Sequence, residues 1–335
     1  MMSRKMKVLL VVGGCLLTLI AFVYFRGWDG EEVKRDSIAT VQELAKHPIY
    51  GKYSFGETDK VIDVGMQPLG LTISLISEAM KRDAILKAAL AGQGLEIRFH
   101  PFFKGTESNF FLARGDLDVV LAGDMPTLTA ASVYGITVGA QNRVGLNSIV
   151  AKRPLLIKEL EGKRIGYAFG STAHHNILQA LHTEGLREAD VRLIQLKVSD
   201  LPDALDHGEI DAFAAWEPTP TIALAKFDDF VIIHRGLAST YLYFSNTFAD
   251  RYPKAVHQIV ASQLRTINWL KRQKSNLRMA CSWAMQAGKD FTGRDMVLSM
   301  EQYASLIERD LLTVENVSII PRQDLETDGR LFRVP

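Results

Sequence analysis

The residues of this chain with the most chemistry to offer fall into four short segments, each opening where an apolar run ends. Gly170-Ser171-Thr172-Ala173-His174-His175 is glycine-led, and its hydroxyls precede a helix-period stripe of Ile177, Leu178 and Leu181. Such a helix start carries unpaired N–H groups and the positive end of the helix dipole, a seat for an anion. The Gly-Lys-Ser/Thr of a phosphate loop is missing. Trp216-Glu217-Pro218 sets an aromatic plate beside a carboxylate, which can pair with a ligand cation or simply start a helix by dipole. Trp216 can equally be core. Gly123-Asp124-Met125-Pro126 reads as a helix start. Asp124 fits an N-cap there, and the free N–H groups around Met125 are open to a ligand. Gly65-Met66-Gln67-Pro68 is a turn in which Gln67 offers a donor and an acceptor. His174 and His175 point different ways on a helix, which suits no metal pair; one lines a cleft or both lie on the surface.

None of these segments is a catalytic constellation. The chain contains no G-x-S-x-G, no H-E-x-x-H, and no cysteine placed beside a histidine. Binding is the expected chemistry, with no cofactor and no metal.

The elements that must position these segments alternate. Val61–Gly65, Leu95–Phe99, Leu117–Leu121 and Ile136–Ala140 read as strands, separated by helical runs at Leu71–Leu90, Thr106–Ala113 and Met125–Val133. After a break at Gly145–Lys152 the rhythm repeats. Arg164–Tyr167, Val191–Leu196, Ile210–Ala214 and Phe230–Ile233 are the strands, with helices at Thr172–Glu184 and Leu201–Leu205. Beyond Tyr241 the chain turns helical, over Pro253–Lys271, Asn276–Ala287 and Asp295–Glu308. Two runs of βαβ units predict two parallel α/β lobes, and ligands in such sheets sit beyond the carboxyl ends of strands. All four segments lie there.

Composition narrows the function further. The 335 residues carry 39 basic and 38 acidic side chains, a formal charge of +1, which gives nucleic acid no field to bind. Residues 1–25 differ from the rest. Arg4, Lys5 and Lys7 precede an uncharged run from Val8 to Phe25, followed by Asp29, Glu31 and Glu32. About 18 apolar residues approach the length needed to cross a bilayer, and the charges place the N-terminus inside and the remainder outside. Bulky Phe22–Phe25 offers no cleavage site, so an uncleaved transmembrane anchor is expected. Val12-Gly13-Gly14-Cys15 resembles a lipoprotein box, but ten apolar or small residues follow Cys15. Cys15 and Cys281 make no disulfide framework. Residues 26–59 read as a stalk.

Taken in order, the segments resemble the sulfonate, taurine and nitrate type of ABC-transporter substrate-binding protein, over Val61 to Lys271. Leu117-Asp118-Val119-Val120 leads to Gly123-Asp124-Met125-Pro126, similar to that family's first-lobe turn. Leu160-Glu161-Gly162-Lys163-Arg164-Ile165 followed by Gly170-Ser171 resembles its entry to the second lobe. Ala204 to Pro218, with Gly208, Asp211 and Trp216-Glu217-Pro218, is the most specific piece. The resemblance implies a type II periplasmic-binding-protein fold: lobe 1 over 60–145, lobe 2 over 146–240, and a return to lobe 1 with C-terminal helices over 241–335. Hinges would lie near Leu146–Ala151 and Ser239–Phe244. Gln67, Asp124, Ser171, Thr172, Trp216 and Glu217 would face the ligand, with Met125, Gly170 and His174 beside them. It implies a small anionic or zwitterionic ligand, an ABC permease as partner, a monomer, and a place on the outer face of the cytoplasmic membrane. The related pyrimidine-synthesis enzymes carry a cysteine-rich motif with no match here. A membrane-tethered ligand sensor is the alternative that the anchor favours. N-terminal sequencing of the membrane fraction is expected to read from Met1. A chain beginning at a lipid-bearing Cys15 would make this a lipoprotein, and a soluble chain beginning after Phe25 would overturn both readings.

Overall fold

The computed structural model describes residues 44, 46–56 and 60–311. The expected anchor, most of the stalk and the segment after Leu311 lie outside those residues. Among the described residues, no helix is long and apolar enough to cross a membrane. The described residues up to Ser54 belong to a separate unit, in which a 3-10 turn at Tyr50–Lys52 follows His47, whose ring stacks on Tyr50 at 4.2 Å.

From Phe55 the elements alternate. Strand β1 (Val61–Met66) is followed by helices α1 (Leu71–Met80) and α2 (Ala84–Ala91), then β2 (Glu96–Pro101), α3 (Gly105–Arg114), β3 (Val119–Gly123), α4 (Asp124–Val133) and β4 (Ile136–Ala151). The second run is β5 (Arg164–Tyr167), α5 (Thr172–Thr183), β6 (Arg192–Gln195), α6 (Leu201–Asp206), β7 (Ala212–Trp216), α7 (Thr219–Lys226) and β8 (Val231–Ser245). Helices α8 (Asn246–Arg251), α9 (Pro253–Arg272), α10 (Lys274–Thr292) and α11 (Met300–Leu311) complete the described chain.

Four expectations are corrected here. The helical run at Leu71–Leu90 is two helices. Asp83 breaks it by capping α2, its carboxylate accepting from the N–H groups of Ile85 and Leu86. The strand read at Ile136–Ala140 continues as β4 to Ala151, 16 residues in all, through the expected hinge at Leu146–Ala151. Likewise β8 continues from Val231 past Tyr241 to Ser245. In place of two parallel sheets there is one sheet of eight strands, ordered β2-β1-β3-β8-β4-β7-β5-β6, in which β8 runs antiparallel to both β3 and β4.

One apolar cluster fills the half around β1 and β3, where Ile62, Val64, Leu75, Leu121 and Phe244 meet Ile259, Ile267 and Cys281 from α9 and α10. Burial pushes the Cys281 thiol up to about 12, so it packs as a small apolar residue and no thiolate is available at neutral pH. Two smaller clusters sandwich the β5–β7 half. Ile149, Ala212 and Ala214 lie under Ile177 and Leu181 of α5 on one face, while Val150, Phe213 and Ala215 meet Leu201 and Leu205 of α6 on the other. The odd–even split along β4 and β7 is the pleat at work.

A buried ion pair clamps the first half. Asp83 and Arg265 are 0% and 1% exposed at their side chains, 2.8 Å apart, and Ser262 Oγ donates to the same Asp83 oxygen at 2.6 Å. With its other oxygen capping α2, Asp83 ties α2 to α9. Removing one partner of such a pair strands a buried charge. Asp83→Ala is therefore expected to cost about 3–5 kcal/mol in urea unfolding, and Ser262→Ala about 1 kcal/mol. An Asp83→Ala protein as stable as wild type would show that the pair contributes nothing.

Candidate functional site

The register of the long strands decides where the site lies. Gly123, at the carboxyl end of β3, pairs with Thr240 of β8, which pairs in turn with Arg143 of β4. Trp216, at the carboxyl end of β7, pairs with Asn147 of β4, which pairs with Gly236 of β8. The strands of the two halves run in opposite directions across the β4–β8 ribbon. Their carboxyl ends therefore point at each other over one short stretch, from Arg143 to Asn147, about 13 Å of strand.

Most of the residues expected at the site gather over that stretch. A Cβ on Gly123 would overlap the Thr172 Cγ2, and one on Gly170 would come 2.8 Å from the Thr106 Cγ2. The starts of α3 and α4 thus both meet the start of α5 across the gap, and a side chain at either glycine would push α5 away. Gly170 also sits at φ +69°, a conformation that favours glycine. Ser171 is the N-cap of α5, accepting from the His174 N–H at 3.2 Å and donating to the Ala168 carbonyl at 2.6 Å. Asp124 is not the N-cap of α4, a correction: Gly123 holds that position. Asp124 instead accepts from the Ser239 N–H at 3.0 Å with one oxygen and from the Met125 N–H at 2.7 Å with the other, fastening the helix start to β8. Gln67 is buried and donates to the Leu121 carbonyl at 3.0 Å, tying the turn after β1 to β3.

Trp216 is half-buried and packs against the apolar cluster under α5. Glu217 is 5% exposed, and both its oxygens are engaged within the chain. One accepts from the Thr221 N–H and the other from the guanidinium of Arg309 on α11, each at 3.2 Å. The cation beside Glu217 is thus an arginine 92 residues away, whose own side chain is half exposed.

Three polar side chains at the site were not among those singled out in the sequence. Asn147 on β4 and Asn176 on α5 are each 1% exposed, and neither end of either amide has a hydrogen-bond partner among the described residues. Arg143 is also buried, its guanidinium lying where a Cβ on Gly145 would be. A signal for Asn147 existed: asparagine is depleted in strands, and this one interrupts an apolar run. Nothing in the sequence separates Asn176 from the polar face of an ordinary amphipathic helix.

No group of His, Cys, Asp and Glu that could hold a metal occurs among the described residues. Residues 62–285 match the NMT1-like family. A protein of Bacillus subtilis (strain 168), named for binding aliphatic sulfonates, is 26% identical over 224 residues, covering 63% of this chain and 66% of its own. The taurine-binding periplasmic protein of Escherichia coli (strain K12) is 29% identical over 129 residues, covering 37% and 40%. The chain spans two thirds or less of the length of these curated relatives. The crystal structure of the periplasmic aliphatic sulphonate binding protein SsuA from Escherichia coli superposes with a TM-score of 0.59 at 18% identity, covering 75% of this chain and 84% of that one. At that identity the match shows the fold alone, a mixed α/β fold of the type II periplasmic binding proteins. These relatives are named as binding proteins, not enzymes.

His174 gives the site a pH signature. It packs between Tyr167 and Phe169, with ring centroids at 4.6 and 5.6 Å. Burial, then the neighbouring His175, pushes its imidazole down to about 4. Between about pH 6.5 and pH 4 the unfolded chain takes up a proton that the folded chain refuses. Stability is therefore full above about pH 6.5, falls as the pH drops through that window, and levels off below it. The drop attributable to His174 is roughly 3 kcal/mol at most. Burial pushes His234 the same way, so His174→Gln is expected to flatten the acid limb of a melting-temperature profile without abolishing it. An unchanged limb would mean that His174 charges freely in the folded protein.

Proposed function

This chain belongs to the NMT1-like family, and from that membership we propose that it is an extracytoplasmic solute-binding protein delivering a small anionic or zwitterionic solute to an ABC permease. The observation that carries this reading is the convergence of carboxyl strand ends from both halves on the Arg143–Asn147 stretch of one shared ribbon. That arrangement suits enclosure of a small ligand between two lobes, and two relatives are named for binding aliphatic sulfonates and taurine. In this reading one lobe comprises residues 60–145 with 241–335, and the other comprises 146–240. The ribbon strands β4 and β8 flex between them, and the closed form docks on the permease. The chain works as a monomer outside the cytoplasmic membrane, tethered through Val8–Phe25.

The anionic head of the solute lies at the start of α5, where Ser171 has already ordered the helix end and the next N–H groups carry the dipole. Trp216 covers the apolar middle of the solute. Arg309 already neutralises Glu217, so an amine on the ligand must displace that guanidinium or sit elsewhere.

The test is thermal shift of the purified protein against alkanesulfonates, taurine and nitrate. A solute at 100 times its dissociation constant stabilises by about 2.7 kcal/mol, readily seen as a raised melting temperature. No shift with any small solute would sink the reading. With a bound solute in hand, Ser171→Ala is expected to weaken binding by about 1 kcal/mol, the size of a lost cap or hydrogen bond. Unchanged affinity would remove the helix start from the site.

A further inference from the structure

Buried amides without partners are rare, because each unpaired group forfeits the hydrogen bonds it had in water. Here two occur within one strand pairing of each other. Asn147 stands opposite Gly236 across the ribbon. A Cβ on Gly236 would overlap the Asn176 Oδ1 and lie 3.6 Å from its Nδ2. The oxygen end of the Asn176 amide therefore rests on the Gly236 backbone, and its NH2 end is turned away from it. Residues 143, 145 and 147 share one face of β4 by the pleat, the face that Ile149 and Ala151 present to α5. Gly145 leaves room on that face for the Arg143 guanidinium to lie along the strand toward Asn147. One buried cation and two partnerless amides thus line a single row beneath α5, one turn along the helix from Thr172.

The carboxylates nearby complete the contrast. Asp124 is engaged by two backbone N–H groups, and Glu217 by Arg309 and the Thr221 N–H. Both amides are left over at this site, NH2 groups included, while its carboxylates are used.

We propose that Arg143, Asn147 and Asn176 form the floor of the solute site and receive a small oxyanion, a sulfonate or nitrate-like group, through the two amide NH2 groups beside the guanidinium. This rests on the solute-binding reading and names the residues that select its ligand class. A planar or tetrahedral head with several acceptor oxygens can take both amide NH2 groups, and the low dielectric of a buried site strengthens each contact. Neither amide titrates, so the seat holds its donors at any physiological pH.

The experiment is calorimetry of wild type, Asn147→Leu and Asn176→Leu with ethanesulfonate, taurine and nitrate, alongside the melting temperature of each empty protein. Leucine matches asparagine in size and removes the unpaired groups. Each variant is expected to bind the preferred oxyanion at least fivefold more weakly, with the empty protein melting no lower than wild type. Affinity within fivefold of wild type in both variants overturns the proposal. So does a lowered melting temperature in both, which would mark the amides as structural. Should the leucine variants fail to fold, Asn147→Asp and Asn176→Asp keep the shape and add repulsion; the same fivefold threshold applies, and failure of these to fold also overturns the proposal. A wild type that ignores all three oxyanions but binds a neutral solute overturns the oxyanion floor and leaves solute binding standing. A wild type that binds no small solute overturns both.

Discussion

Everything in this fold hangs on the pairing of β4 with β8. Each strand is about three times the usual length, and together they are the only backbone ladder joining the two halves of the sheet among the described residues. Because β8 is antiparallel to β3 and β4 is antiparallel to β7, strands that each obey the ordinary rule for ligand position end up facing one another. A parallel junction would have pointed both sets of carboxyl ends the same way. The register of two strands therefore creates the site, before any side chain is considered. The ladder is also imperfect near its middle: the pairing slips between Gln141 and Arg143, leaving Asn142 as the extra residue. Bulges bend and twist strands, and this one falls next to the stretch where the strand ends converge.

The two kinds of buried polarity in the chain make opposite physical statements. At Asp83, both carboxylate oxygens are used, by a guanidinium, a hydroxyl and two backbone N–H groups. That network fixes α2 against α9 and offers nothing to a ligand. At Asn147 and Asn176 the amides are equally buried and have no partners among the described residues. A stability optimum would replace them with apolar residues, and sequences depart from local consistency chiefly where function requires it. Position supports the same distinction, since the satisfied network lies in a helical layer and the unsatisfied pair lies where the strand ends meet.

Much of this architecture was legible in the sequence, for identifiable reasons. The alternation of elements was readable because several short strands, β3 and β7 among them, are continuous apolar runs and several helices stop at a glycine, such as Gly115 or Gly185 in the left-handed conformation. The site segments were readable because ligand positions in α/β sheets follow strand ends. The long strands were not readable. Gln141, Asn142, Arg143 and Asn147 break the apolar pattern of β4, so a local reading ends the strand at Ala140. Arg143 and Asn147 among them lie where the strand ends converge. Asp83 was hidden differently: the apolar period continues through it, and only its carboxylate capping α2 shows that one helix has become two. The partner of Glu217 was beyond any local reading, since Arg309 reaches it from 92 residues downstream.

That last contact bears on how the acidic groups at this site should be understood. A carboxylate at a strand end reads, from sequence, as a hand held out to a ligand cation. Here Glu217 is nearly fully buried, and leaving a buried carboxylate without a counter-charge costs several kcal/mol. The chain supplies its own cation, Arg309 on α11. Asparagine carries no such obligation, because an unpaired amide costs about 1–3 kcal/mol, an amount a folded domain can tolerate. Buried charges are thus held by the protein's own counter-charges, while neutral amides can stay unpaired. The groups left waiting are for that reason the better guide to what the site receives.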